Sequence, residues 1–290
     1  MSRPLLIRPG PEVLGGAPAP GALAAALGAE TRLADAPASP IDDGDVAPVV
    51  VWEASEWYLR NRGRISGRRP VVVCSWSFAD LRRLVAGVGT LPESGLAAVF
   101  HNCPRVPAAA GPVRTQFRWK PCARSAPARP SGPGCPADAA DDRDWCLVDR
   151  FVRRWGPCPV GRTAPGPSLP VGLSERLSPD AGWDGLSVLV PAPRIGDLAG
   201  GVVPPELVEA AVLGVPVLAV RHPVLDPLRE WLGDPISSLS DWDAAAAEAA
   251  SGRLRRPRPR MREDFSCQSL ASAVEAASDA FVRRGRGAQT

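Results

Sequence analysis

GGVVPPELVEAAVLGVPVLAV, Gly200 to Val220, is the stretch whose reading decides the fold. Pro204 and Pro205 open a helix, because the first helical positions need no N–H partner. Glu206 falls in the first turn, where the positive end of the helix dipole favours a carboxylate. Leu207, Val208, Ala211 and Val212 supply apolar packing, and Gly214 stops the helix in a left-handed conformation that glycine adopts cheaply. Val215 to Val220 is almost wholly apolar, as expected of a strand buried on both faces. With the apolar run Leu186 to Val190 upstream, the segment predicts a strand–loop–helix–strand unit and therefore a parallel sheet. A loop feeding a helix N-terminus at the carboxyl edge of such a sheet is a common seat for a phosphate-bearing ligand.

The rest of the chain supports an α/β layer. Leu5 to Ile7 reads as a strand running into the loop RPGPEVLGGAPAPG, and Ala22 to Leu27 as a helix stopped by Gly28. Gly15 and Gly16 in that loop let a backbone approach a ligand, although the spacing is not GxGxxG and also suits a plain surface loop. Val46 to Val51, Pro70 to Cys74 and Leu96 to Phe100 read as further strands. Phe78 to Val85 reads as an amphipathic helix with Asp80, Arg82 and Arg83 outward. Glu53 and His101-Asn102 fall at carboxyl ends of strands, where α/β proteins place their sites. A neutral imidazole suits a general base or a hydrogen bond to a ligand hydroxyl, and equally a bond to a nearby backbone group.

Cys103 to Asp144 loses all periodicity and reads as a loop or linker. Trp145 to Trp155 resumes order as a strand or short helix, Asp241 to Ala250 is an alanine-rich helix, and Phe265 to Arg283 a long amphipathic one. Two basic stretches, RTQFRWK (114–120) and RLRRPRPRMR (253–262), allow contact with an anionic partner, but each also suits a solvated segment.

The 290 residues are ample for two domains, and 45% hydrophobic residues suffice for a sizeable core. The net charge of +3 makes no case for a dedicated nucleic-acid binder. No apolar run reaches the roughly 20 residues of a membrane span, and the N-terminus does not read as a secretory signal. A cytoplasmic protein is expected. The seven cysteines form no CxxC pair and read as reduced thiols, with no metal site expected.

PPELVEAAVLGVPVLAV resembles the donor-site segment of GT-B-fold glycosyltransferases, in Glu209, Gly214, Pro216 and Val217. DFSCQSLASAVEAASDAF (264–281) is similar to the Phe-Ser step and closing helix of that superfamily, and AAVFHN (97–102) to a first-domain strand ending in His-Asn. The resemblance implies two facing Rossmann-like domains with parallel sheets. Residues 1–103 would be the acceptor-side domain, 104–144 a linker, and 145–290 the nucleotide-sugar domain with a terminal helix crossing back to the first domain. It implies a glycosyltransferase taking a nucleotide sugar as substrate, with no separate cofactor, and an unspecified acceptor. Glu209 would bind donor hydroxyls, with Glu206, Gly201, Arg162 and Arg194 also on the donor side and backbone N–H groups from Gly201 onward facing the diphosphate. His101 would be catalytic, and Gly15, Gly16, Asn102 and Glu53 would lie on the acceptor side.

The chain departs from the family at two places. Gly201 stands where a Glu-x7-Glu motif has its first acid, and Pro167 where a lysine is expected after Arg162. Arg153, Arg154 and Arg194 are alternative phosphate partners. These departures suit a non-catalytic relative as well, and the arginine runs suit a nucleic-acid-associated protein.

Overall fold

The computed structural model describes residues 3–9, 19–35, 47–65, 69–88, 95–104, 115–123, 132–137, 143–156, 158, 160–162, 186–228, 236–254 and 265–287. The chain divides into two compact units. Unit 1 comprises Met1–Pro11, Pro18–Ala123 and Glu263–Thr290; unit 2 comprises Glu12–Ala17 and Arg124–Arg262.

Unit 1 is built on six strands: β1 (Leu5–Arg8), β2 (Glu30–Leu33), β3 (Val49–Trp52), β4 (Val71–Ser75), β5 (Leu96–His101) and β6 (Thr115–Phe117). They lie in the order β2-β1-β3-β4-β5-β6, and every neighbouring pair is parallel. The valine runs of β3 and β4 are buried along their whole length, as a sheet covered on both faces requires. Helices α1 (Ala19–Leu27), α2 (Ser55–Asn61) and α3 (Phe78–Val88) follow β1, β3 and β4. One core cluster joins Leu6, Val50, Trp52, Val72, Trp76 and Phe100 to α1 and to Leu270, Ala271 and Val274 of the C-terminal helix, Cys267–Gly287. The hydroxyl of Ser266 accepts from the Ser269 N–H and so caps that helix, which accounts for the Phe-Ser step before it.

Unit 2 has β7 (Gly132–Ala137), β8 (Val160–Arg162) and β9 (Leu186–Leu189) in the parallel order β8-β7-β9. Its helices are α4 (Cys146–Trp155), α5 (Pro205–Leu213) and α6 (Leu239–Ala250), which makes the C-terminal helix α7. The apolar run after α5 does not pair as one strand. Val217 bridges Leu189, with Leu189 N–H donating to Pro216 and Leu218 N–H to Leu189, both at 2.8 Å. Two residues later β10 (Ala219–Val220) pairs in parallel with β11 (Ile236–Ser237). Pro216 has no N–H to give, so the segment changes neighbour rather than extending one ladder.

The region read as a linker, 104–144, contains two strands, β6 and β7. β7 lies between β8 and β9 despite Pro133 and Pro136, in a position where proline is normally excluded. Its two halves pair with different neighbours, residues 135–137 with β8 and 132–134 with β9. A register irregularity between Gly132 and Pro133 accommodates the first proline. The backbone therefore hides a central strand under a composition that reads as a turn. β2 was also not expected from its sequence; ETRL is an exposed edge strand without a buried apolar pattern. None of the seven cysteines forms a disulfide. No described helix is long and apolar enough to cross a membrane.

Candidate functional site

The unit 1 sheet reverses its strand order beside β1, with β2 on one side and β3 on the other. In open α/β sheets ligands bind outside the carboxyl ends of strands, at such a reversal. Glu53 follows β3 there. Its φ of 44° is the only positive value among the described non-glycine residues, a conformation costing about 1–3 kcal/mol. Its N–H donates to Cys74 O at 2.8 Å, so the backbone is fixed to β4 as it turns.

Two residues on, Ser55 opens α2 under the carboxylate of Asp80. The Ser55 N–H and hydroxyl donate to Asp80 at 3.0 and 2.7 Å, and the hydroxyl of Ser75, the last residue of β4, donates at 2.7 Å. Asp80 is 6% exposed, so the expectation that it faces outward is corrected. It ties the start of α2, two residues past the strained Glu53, to the end of β4. The pattern that could have found it is Ser77-x-x-Asp80: the Asp80 N–H reaches the Ser77 hydroxyl at 3.4 Å, half of a capping box.

His101 ends β5, opposite Ser75 in register, and is 1% exposed. Burial lowers its pKa from an ordinary 6.5 to about 4. Its Nδ1 accepts from the Cys103 N–H at 3.3 Å, which puts the proton of the neutral ring on Nε2. The ring is thus a donor at Nε2 near neutral pH rather than a general base there. Asn102 is buried beside it.

Among the described residues, the buried polar atoms at this edge without a hydrogen-bond partner include Glu53 Oε1, Trp76 Nε1 and His101 Nε2. They come from the carboxyl ends of three adjacent strands, β3, β4 and β5. Such groups are rare in folded proteins and each costs about 1–3 kcal/mol of desolvation. Trp76 was not singled out in the sequence; its place just after a buried strand was the available clue.

The residues expected on the donor side lie in unit 2. Gly214 closes α5 at φ 64°, as the sequence required. Glu206 sits in the first turn of α5, but its partner is Arg143, whose Nη1 lies 3.1 Å from the carboxylate and also donates to Ala192 O. Both side chains are buried, at 5% exposure for Arg143 and 10% for Glu206. Arg143 falls in the segment read as a linker and was missed. Its backbone bridges Arg194, which is half-buried. Glu209 is 6% exposed, not a solvent-facing carboxylate.

The loop ahead of α5 is closed upon itself. Gly201, at φ 81°, donates its N–H to Leu198 O at 3.1 Å, and Val202 donates to Asp197 O at 2.9 Å. Those two N–H groups were expected to face a diphosphate, and the structure uses them inside the loop. Arg162 is in β8 by its backbone. Arg153 is paired with Asp149, and Arg154 with Asp243 alongside Arg150, so the alternative phosphate partners on α4 are ion-paired. Gly15, Gly16 and most of the basic run 253–262 lie outside the described residues.

No family model matches this chain, and no curated protein matches it. Solved structures do. One is an α-glucosyltransferase in complex with UDP and a 13-mer DNA containing an HMU base, which is 11% identical with a TM-score of 0.51. The match covers 98% of this chain and 100% of that one. The fold is GT-B-like. Both units of this chain carry a parallel sheet, and the likeness extends over them both.

Proposed function

We infer that the protein transfers a glycosyl group from a nucleoside-diphosphate sugar to a hydroxyl acceptor. The observation that carries this is the end-to-end fold likeness to a UDP-bound glucosyltransferase. In this reading unit 2 handles the donor. The Glu209 carboxylate accepts hydrogen bonds from donor hydroxyls, and Arg162 and Arg194 offset the diphosphate charge. Glu206 acts through Arg143 to seat the first turn of α5, and Gly201 shapes the loop before it.

Unit 1 handles the acceptor, with Asn102 on its side. The acceptor oxygen forms a bond to the anomeric carbon while the bond from that carbon to the phosphate oxygen breaks. The nucleoside diphosphate leaves with the electron pair, and the acceptor proton passes to Glu53. His101, as an Nε2–H donor, holds the acceptor oxygen in place.

Calorimetry with UDP, GDP and their sugars tests the donor assignment. Wild-type protein is expected to bind one nucleotide class, and Glu209→Ala to lose affinity for the sugar form by roughly tenfold, the worth of a charge-assisted hydrogen bond. Absence of heat with every nucleotide would sink the donor site. Binding without release of free nucleotide in the presence of acceptors identifies a non-catalytic relative instead.

A nucleic-acid acceptor is the second reading. Phe117 is 40% exposed and Arg118 is exposed at the end of β6, where Arg118 N–H donates to His101 O. The solved neighbour was captured with DNA. A steep loss of DNA affinity with added salt supports this reading, and a flat response removes it.

A further inference from the structure

β6 ends the strand order of the unit 1 sheet and carries an aromatic ring into the open. Phe117 is 40% exposed; the other exposed large hydrophobics among the described residues, Val85 and Ile195, are aliphatic. The ring is firmly held. Trp119 meets it with centroids 4.8 Å apart and planes at 78°, and Trp119 in turn packs on the buried Phe265 at 5.7 Å. A T-shaped contact covers at most one face of a ring, so Trp119 leaves at least one face of Phe117 uncovered. Arg118 comes next, also exposed, with its backbone N–H fixed to His101 O at 2.8 Å.

The surrounding sequence is charged in one sense. From Ser94 to Ala137 there is no aspartate or glutamate, and there are six cations: Arg105, Arg114, Arg118, Lys120, Arg124 and Arg129. The chain's net +3 therefore divides into +6 in this stretch and −3 in the remainder. Arg150, Arg153 and Arg154 on α4 are each paired with an aspartate. Arg118 has no such acid among the described residues.

We propose that Phe117 and Arg118 form a platform for an unpaired strand of nucleic acid, with a base stacked on the Phe117 ring and the adjoining phosphate held by Arg118. Every base has a π-face, so stacking on an exposed ring is tolerant of sequence, and the backbone needs only a nearby cation. A duplex is a poorer fit, because its base faces are already covered by their neighbours and opening them costs energy. Phe117 is the register partner of His101, so a strand stacked here lies beside the acceptor side of unit 1. That the strand is the acceptor rests on the nucleic-acid reading of the proposed function; that it binds at β6 does not.

The test is fluorescence anisotropy of the full-length protein with a labelled oligothymidylate, a labelled duplex of the same length, and labelled polyphosphate of matched charge. The single strand is expected to bind at least roughly tenfold more tightly than either of the others, the worth of one base–aromatic stack. Phe117→Leu keeps the apolar bulk and removes the π-face, and is expected to weaken strand binding by roughly tenfold, whereas Phe117→Trp retains it. Arg118→Gln is expected to lower the slope of log affinity against log salt by about 0.7, one phosphate on a single strand. Far-UV circular dichroism checks that each variant is folded.

The proposal is overturned if the single strand does not bind, or if duplex or polyphosphate binds as tightly. It is also overturned if folded Phe117→Leu binds like the wild type, or if Arg118→Gln leaves the salt slope unchanged. Strand binding in a protein that ignores every nucleotide sugar would sustain the platform and remove the transferase reading. Nucleotide-sugar binding without strand binding would remove the platform and leave transfer to a different acceptor.

Discussion

The carboxyl edge of the unit 1 sheet and the loop before α5 in unit 2 are built from the same parts. In each, buried strands lead through loops into helices. They differ in where their polar groups end. Around α5 several of them turn inward: Arg143 meets Glu206 and Ala192, and the Gly201 and Val202 N–H groups bond within the loop. In unit 1 Glu53 Oε1, Trp76 Nε1 and His101 Nε2 are buried without a partner at the strand ends that include the strained Glu53. The stretch with the clearest helix grammar thus spends much of its polarity on its own architecture. The stretch that breaks local rules is where a ligand is expected, since violations of consistency gather at functional sites.

The comparison breaks first at Arg143. Arg143→Ala leaves the Glu206 carboxylate buried and unpaired, with an expected loss of about 3–5 kcal/mol in urea unfolding. Arg143→Met combined with Glu206→Leu is expected to regain most of it. A small loss from the single change would mean that the pair is not structural, and Glu206 would return to the donor site.

The second probe is pH. The folded His101 takes its proton only near pH 4, whereas the unfolded one takes it near 6.5. Between those values the unfolded state binds more protons, so stability falls as pH falls, by about 1.4 kcal/mol per pH unit. Above pH 6.5 and below about 4 the residue contributes no slope. Comparing unfolding of wild type and His101→Asn across that window isolates the contribution. Parallel curves would mean that His101 is not buried neutral.

The smallest effect sharpens the contrast from the other side. Glu53→Gly releases the left-handed strain and is expected to raise stability by roughly 1 kcal/mol, part of the relief being offset by the freer unfolded chain. Equal or lower stability would show that Glu53 is held by something other than function.

Much of the fold was legible. β1, β3, β4, β5 and β9 are apolar runs, and α5 has proline, glutamate and glycine where a helix needs them. What stayed hidden lacked such a pattern. β7 carries its pairing in GPGCPA through backbone carbonyls and a register irregularity, which side-chain periodicity does not record. At the site, Glu53 and His101 were readable from their strand-end positions. The role of His101 was not, because it hangs on the local bond from Cys103. Asp80 looked like one more charge on an outer helix face; only the meeting of α2, α3 and β4 shows that three donors converge on it.

Unit 1 is closed by α7, more than 140 residues downstream of β6 in the chain. During synthesis, the segment 124–262 emerges whole before α7 does, and can fold as one piece. Over the same interval the apolar face around Leu6, Val50, Trp52 and Phe100 lacks the helix that covers it. The nascent chain therefore carries an unfinished first unit until α7 has been made. A stall between residue 123 and α7 would leave that surface without Leu270, Ala271 and Val274 packed on it.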